Sequence, residues 1–216
     1  MSKINAKKEF PLDGRKTLEA ILQSSRHGSV LQAVASLTIF SHPDTVAQTG
    51  KCSIFRLARD GKRRGMQDDT NRVYYDDNLG PHIAFCGVHG FKKITGKIDL
   101  QLNHVWNAKK HTDYYTCLAN ICITPTFLAK LTDHFEEIKS CLQFRAFDLF
   151  DWYPNELSRP HKPQNYDKLK WRDPLNTVSN VENVYREYLK GKNHRVALSV
   201  RRYGWFFSNW LPDSFI

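Results

Sequence analysis

The chain has 216 residues, of which 41% are hydrophobic and 25% charged, values that exclude a fibrous or disordered polypeptide and suit a buried core. Thirty-two Lys and Arg stand against 22 Asp and Glu, for a formal charge of +10 and a pI near 9.4, the balance of a nucleic-acid binder or of a merely basic soluble protein. No apolar run approaches the roughly 18 residues of a membrane span, and the charged opening MSKINAKKEFPLDGR lacks the apolar centre of a signal peptide, so no membrane association is expected. Five cysteines, an odd number, point to a reducing cytoplasmic setting rather than a disulfide framework.

Residues 1–14 read as a basic lead-in. Arg15 to Gln23 and Val30 to Thr38 carry apolar residues at helical spacing, interrupted at Ser24-Ser25 and His27-Gly28. His42-Pro43-Asp44 opens a short turn or helix ending at Gly50. Lys51 to Ala58 alternates like a strand and runs into Arg59, Lys62, Arg63 and Arg64. With Arg56 these residues form a candidate phosphate-contacting wall, opposed locally by Asp60 alone. The competing reading is a solvated hairpin turn at Asp60-Gly61. Arg72 to Tyr75 predicts another short strand, closed by a tight turn over Asp76-Asp77-Asn78-Leu79-Gly80-Pro81. The paired carboxylates of Asp76 and Asp77 suggest a metal ligand in isolation, but turn chemistry explains them better. An apolar segment begins at Ile83 to Cys86.

The stretch from Leu100 to His134 carries the chemistry. Leu100 to Trp106 alternates as a strand and Cys117 to Thr124 as a second, so the polar loop between them closes a β-hairpin. Pro125 then falls in the first turn of a helix capped by Thr124, with Phe127, Leu128 and Leu131 on one face. Asn103-His104 lies near the end of the first strand and Asn120 in the second.

This order of strand, loop, strand and helix, with Asn103-His104 and Asn120 in place, resembles the HNH (His-Me finger) nucleases over roughly residues 98–136. The resemblance implies a ββα-metal unit in which His104 deprotonates a water, Asn120 orients His104, and Asn103 shares a divalent metal with a helix residue. Counting nine residues on from Asn120, the family's spacing, lands on Ala129, which binds no metal. Asp133 and His134, one turn later, are the substitutes. Phosphodiester hydrolysis needs an activated water, and a neutral histidine is well poised to take its proton near neutral pH. It also needs positive charge on the phosphate, which a hard cation, Mg²⁺ foremost, supplies. The alternative is a structural histidine at a strand end. A zinc site drawn from Cys117, Cys122, His134 and Cys141 is disfavoured, because Cys117 and Cys122 fall in a predicted buried strand where free cysteine is at home.

Phe135 to Leu142 continues as helix. Residues 145–179 read as a long irregular segment whose aromatics Phe147, Phe150, Trp152 and Tyr153 hold it to the body. Ser179 or Asn180 caps a helix to Leu189, with Val181, Val184, Tyr185 and Tyr188 on one side, and Gly191 ends it. Arg186 to Arg202 holds six basic residues and one acid, Glu187, before Tyr203, Trp205, Phe206, Phe207 and Trp210. Arg195, Arg201 and Arg202, with Lys109 and Lys110 of the hairpin loop, complete the nucleic-acid candidates, while the aromatic tail favours packing.

The expectation is a single α+β domain: a helical segment over residues 1–50, a strand-rich core over 51–145 containing the ββα-metal unit, and an aromatic, basic segment over 146–216 packing on it. The implied function is a metal-dependent DNA endonuclease of restriction or mobile-element type, acting on duplex DNA as a monomer or homodimer. Two alternatives remain open: a non-catalytic nucleic-acid-binding protein that keeps the hairpin, and a basic protein-interaction module.

Overall fold

A computed structural model describes residues 13–91, 99–108 and 110–207 and shows a mixed α+β architecture. The candidate Lys109 and the tail residue Trp210 lie outside these residues, and so does the side chain of Asp133. Helix α1 (Gly14–Gln23) starts where Asp13 accepts the Lys16 N–H, and α2 (Val30–Leu37) where Ser29 accepts the Gln32 N–H. Each cap satisfies an amide that the first turn leaves orphaned. Pro43 opens the short α3 (Pro43–Ala47), as its fixed φ and missing N–H favour.

The first sheet has the order β1-β3-β2, with β1 (Leu57–Arg59) parallel to β3 (Val73–Asp76) and β2 (Gln67–Asp68) antiparallel to it. The predicted strand from Lys51 contracts to its last residues, because the backbone ahead of it binds a side chain instead. The Ile54 and Phe55 N–H groups both donate to Thr116 Oγ1, at 3.0 and 2.9 Å.

The tight turn expected after Tyr75 is instead the entrance to an 11-residue helix, α4 (Leu79–His89). Buried Asp76 accepts the Gly80 N–H at 3.0 Å and pairs with Arg195 at 3.4 Å. Pro81 is tolerated because a first-turn N–H has no helical partner to lose. Gly80 is required by close approach: a Cβ there would lie 2.6 Å from Leu57 Cδ1 and 3.3 Å from Thr116 Cγ2.

The second sheet is the expected hairpin. β4 (Leu100–His104) pairs antiparallel with β5 (Ile121–Pro125), His104 opposite Ile121 and Leu100 opposite Pro125. Leu118–Asn120 forms a 3₁₀ turn, so Asn120 sits just ahead of β5 rather than within it. Ile39 adds an isolated bridge to Ile123 on the far side of β5. Helix α5 (Thr126–His134) follows at once, with Pro125 rather than Thr124 at its N-cap. Phe135, extended at φ −118°, separates α5 from α6 (Glu136–Phe150), which absorbs Phe147 and Phe150 from the segment expected to be irregular.

Residues 151–180 contain one 3₁₀ turn, Tyr166–Lys168, before α7 (Val181–Leu189), capped by Asn180. A final helix not foreseen from the sequence, α8 (Arg195–Tyr203), is capped by His194 and lies against β3. One apolar core runs from Leu22 to Trp205 and draws on all three expected segments. No helix among the described residues is long and apolar enough to cross a membrane.

His89, at the end of α4, has Nε2 2.9 Å from Ser41 Oγ and its ring 4.9 Å from that of Phe85. Burial lowers its pKa from 6.5 to about 4. The folded state therefore prefers the neutral ring. The associated stability, roughly 3 kcal/mol, is present above pH 6.5 and is lost as pH falls toward 4. Thermal melts between about pH 7 and pH 4.5 should show a falling midpoint, with a shallower fall in His89→Gln. An identical fall in the variant would refute the assignment.

Candidate active site

The hairpin places His104 at the last residue of β4, where the chain leaves the sheet. Its Nε2 lies 2.8 Å from the Tyr115 carbonyl oxygen. A carbonyl can only accept, so Nε2 carries the hydrogen and Nδ1 is the basic nitrogen. The ring also stacks on Tyr115, centroids 5.3 Å apart and planes at 20°. Tyr115 is itself buried, its hydroxyl donates to the Asp77 carbonyl, and burial pushes its phenol well above the ordinary range. Hydrogen bond and stacking partner thus come from one residue across the loop.

Asn120 is fully buried and holds the same loop by its backbone. Its Oδ1 accepts the Trp106 N–H at 2.7 Å, and its Nδ2 donates to the Trp106 and Tyr114 carbonyls, both at 3.2 Å. Both amide hydrogens are thereby engaged with the Trp106 and Tyr114 carbonyls and not with the His104 ring.

The metal-ligand candidates come together less well. Asn103 and His134 line the same cleft as His104, although Asn103 precedes His104 on a strand, where neighbouring side chains take opposite faces. It is buried, with its Nδ2 2.7 Å from Thr124 Oγ1. Ala129 occupies the family's helix position as a buried methyl, and His134 is exposed at the end of α5. Among the described residues no three His, Cys, Asp or Glu side chains gather as a cation site would need. A hard divalent cation takes about six oxygen ligands, at least one of them usually a carboxylate. Without the Asp133 side chain, which lies outside the described residues, Asn103 and His134 supply only an amide oxygen and an imidazole.

His104 borders a cleft of about 1050 Å³ whose walls include Arg59, His111, Tyr114, Lys130 and Glu156. On the wall formed by the hairpin loop, Tyr114 Oη donates to Glu156 Oε1 at 2.6 Å, and His111 Nδ1 lies 3.4 Å from the same oxygen. The His111 ring stacks on Tyr114 with centroids 4.8 Å apart. The Tyr114 hydroxyl first, with His111 adding to it, holds the Glu156 carboxyl below its usual range. His111, Tyr114, Tyr115 and Glu156 were not singled out from the sequence. The run HTDYY places His111 and Tyr114 three apart, one turn, but nothing local ties either to Glu156, 42 residues beyond Tyr114.

Of the described basic residues expected to meet nucleic acid, Arg59 borders this cleft, half-exposed and 3.5 Å from Asp77. The rest lie around the first sheet and α8, several of them neutralised. Arg63 pairs with Asp60 at 3.0 Å and lies over Tyr75 at 3.9 Å. Arg64 pairs with Asp77 at 3.4 Å, Arg195 with Asp76, and Arg202 with Asp69 at 2.7 Å. Arg201 bonds Asn193 Oδ1 at 3.0 Å, and Arg56 lies 5.1 Å from the Phe206 ring. Lys62 and Lys110 are exposed. Replacing Arg63 and Arg64 with Ala should flatten the slope of log affinity against log salt by at most about two, roughly one per phosphate contact. An unchanged slope would remove that loop from any DNA interface. No family model matches the chain, nor does any curated protein or solved structure.

Proposed function

We propose that the chain is an endonuclease of His-Me finger type that hydrolyses phosphodiester bonds in duplex DNA, with His104 as general base. One observation carries this reading. The Tyr115 carbonyl fixes the His104 tautomer with its hydrogen on Nε2, and His104 and Arg59 line one cleft. The net charge of +10 supports a polyanionic substrate.

In the proposed reaction His104 Nδ1 takes a proton from water as the water oxygen attacks phosphorus. Arg59, held by Asp77, meets the charge that builds on the non-bridging oxygens, with Lys130 as a second cation on the cleft. Asn120 and Tyr115 keep the imidazole in place, so little reorganisation is needed as the reaction proceeds. The expected Mg²⁺ has no fitting donor set among the described residues, and none of these steps runs through it.

The buried methyl of Ala129 favours a second reading, a nucleic-acid-binding protein that keeps the hairpin without the chemistry. Incubation with supercoiled and linear duplex DNA separates the two, run with Mg²⁺ or Mn²⁺ and again with chelator. Nicked or shortened product supports the nuclease. Salt-sensitive binding with no product under any of these conditions selects the binding protein.

A further inference from the structure

The bond from phosphorus to the leaving oxygen cannot break readily near neutral pH unless that oxygen receives a proton or a cation. The described donors do not assemble a cation site. Besides His104, the same cleft is lined by His82, His111 and His134, and of these His111 lies beside the Glu156 carboxylate.

His104 and His111 are joined through one residue. The Tyr115 carbonyl accepts from His104 Nε2 at 2.8 Å, while the Tyr115 N–H donates to the His111 carbonyl at 3.0 Å. Each imidazole stacks on one of the two adjacent tyrosines, His104 on Tyr115 and His111 on Tyr114. Their ring contacts differ: His104 Nε2 bonds the Tyr115 carbonyl, whereas His111 Nδ1 lies 3.4 Å from the Glu156 carboxylate. Glu156 is held toward the loop in turn by the Tyr114 hydroxyl.

We infer that His111 is the general acid of this site, positioned by Glu156 and Tyr114. The inference rests on the nuclease reading. As water bonds to phosphorus, its proton passes to His104 Nδ1. The bond to the leaving oxygen breaks with both electrons remaining on that oxygen, which takes the proton from His111 Nε2, the nitrogen turned away from Glu156. The products are a phosphate monoester and an alcohol. Solvent then removes the proton from His104 and returns one to His111.

Leaving-group chemistry tests this. Duplex DNA releases an alkoxide that must be protonated, whereas the p-nitrophenyl ester of thymidylic acid releases a phenolate that is stable without a proton. His111→Ala should lower DNA cleavage about a hundredfold or more and lower cleavage of the ester far less, with a gap of at least about thirtyfold. Glu156→Gln, which leaves a hydrogen-bonding group beside Tyr114 and His111, should show the same selectivity to a smaller degree. His104→Ala should lower both alike.

Equal losses on the two substrates in His111→Ala would overturn the assignment and make His111 a binding or structural residue. So would no loss on either, or DNA cleavage that chelator abolishes and His111→Ala leaves unchanged, which would give the leaving oxygen to a cation. In those cases a loss confined to His104→Ala would keep the nuclease reading. A wild-type chain that cleaves neither substrate overturns both readings.

Discussion

His104→Ala should lower duplex DNA cleavage by about two to four powers of ten while leaving DNA affinity close to that of the wild-type chain. In the proposed reaction the imidazole takes its proton only as the transition state forms, so its loss removes little ground-state binding. His104→Gln sharpens the test. Its amide retains an N–H for the Tyr115 carbonyl, now met by Nε2 at 2.8 Å, but has no basic nitrogen. Both variants should be equally inactive. If His104→Gln kept even a tenth of the rate, the ring's role would be structural and the general base would lie elsewhere.

The second large effect belongs to Asn120 and is one of stability. Asn120→Ala strands the Trp106 N–H and the Trp106 carbonyl at a fully buried position and leaves the Tyr114 carbonyl with the Cys117 N–H at 3.4 Å. Each buried polar group left unpaired costs about 1–3 kcal/mol, and the two share one side chain, so a loss of about 2–4 kcal/mol is expected from urea unfolding. Asn120→Asp should also be severe. It keeps an acceptor for the Trp106 N–H but sets an oxygen against two carbonyls in place of the donor they share. A loss under about 1 kcal/mol in Asn120→Ala would show that the loop is held by other contacts.

What the sequence disclosed divides along the range of the interactions. Strand alternation around Asn103-His104 and the proline at position 125 placed the first strand and the following helix within two residues, because period and capping are local properties, while the second strand begins four residues later than Cys117. Asp76-Asp77-Asn78 suggested a tight turn because local turn chemistry says so. The helix wins through Asp76's pairing with Arg195, 119 residues away, and through the closeness of Gly80 to Leu57. Local spacing shows Asp60 alone against Arg56–Arg64, whereas Asp68 in β2 and Asp77 just beyond β3 also come within ion-pair distance of Arg63 and Arg64. Candidate site residues near one another in the chain were visible. Glu156, which reaches the site from beyond α6, was not.

The seam between the hairpin loop and the segment ahead of β1 bears on how the protein fails. The Thr116 hydroxyl receives two backbone N–H groups from Ile54 and Phe55, Ser53 Oγ receives the Thr116 N–H, and the Ser53 N–H reaches the Asp113 carbonyl. Thr116 immediately follows the residue that holds His104, and Phe55 packs edge-on against Tyr185 and near Trp205 in the core. Opening the loop therefore drags on the core itself, and the two should exchange their amides as one cooperative unit. Heat or urea should extinguish catalysis and tertiary structure in a single step, with no inactive yet folded species in between.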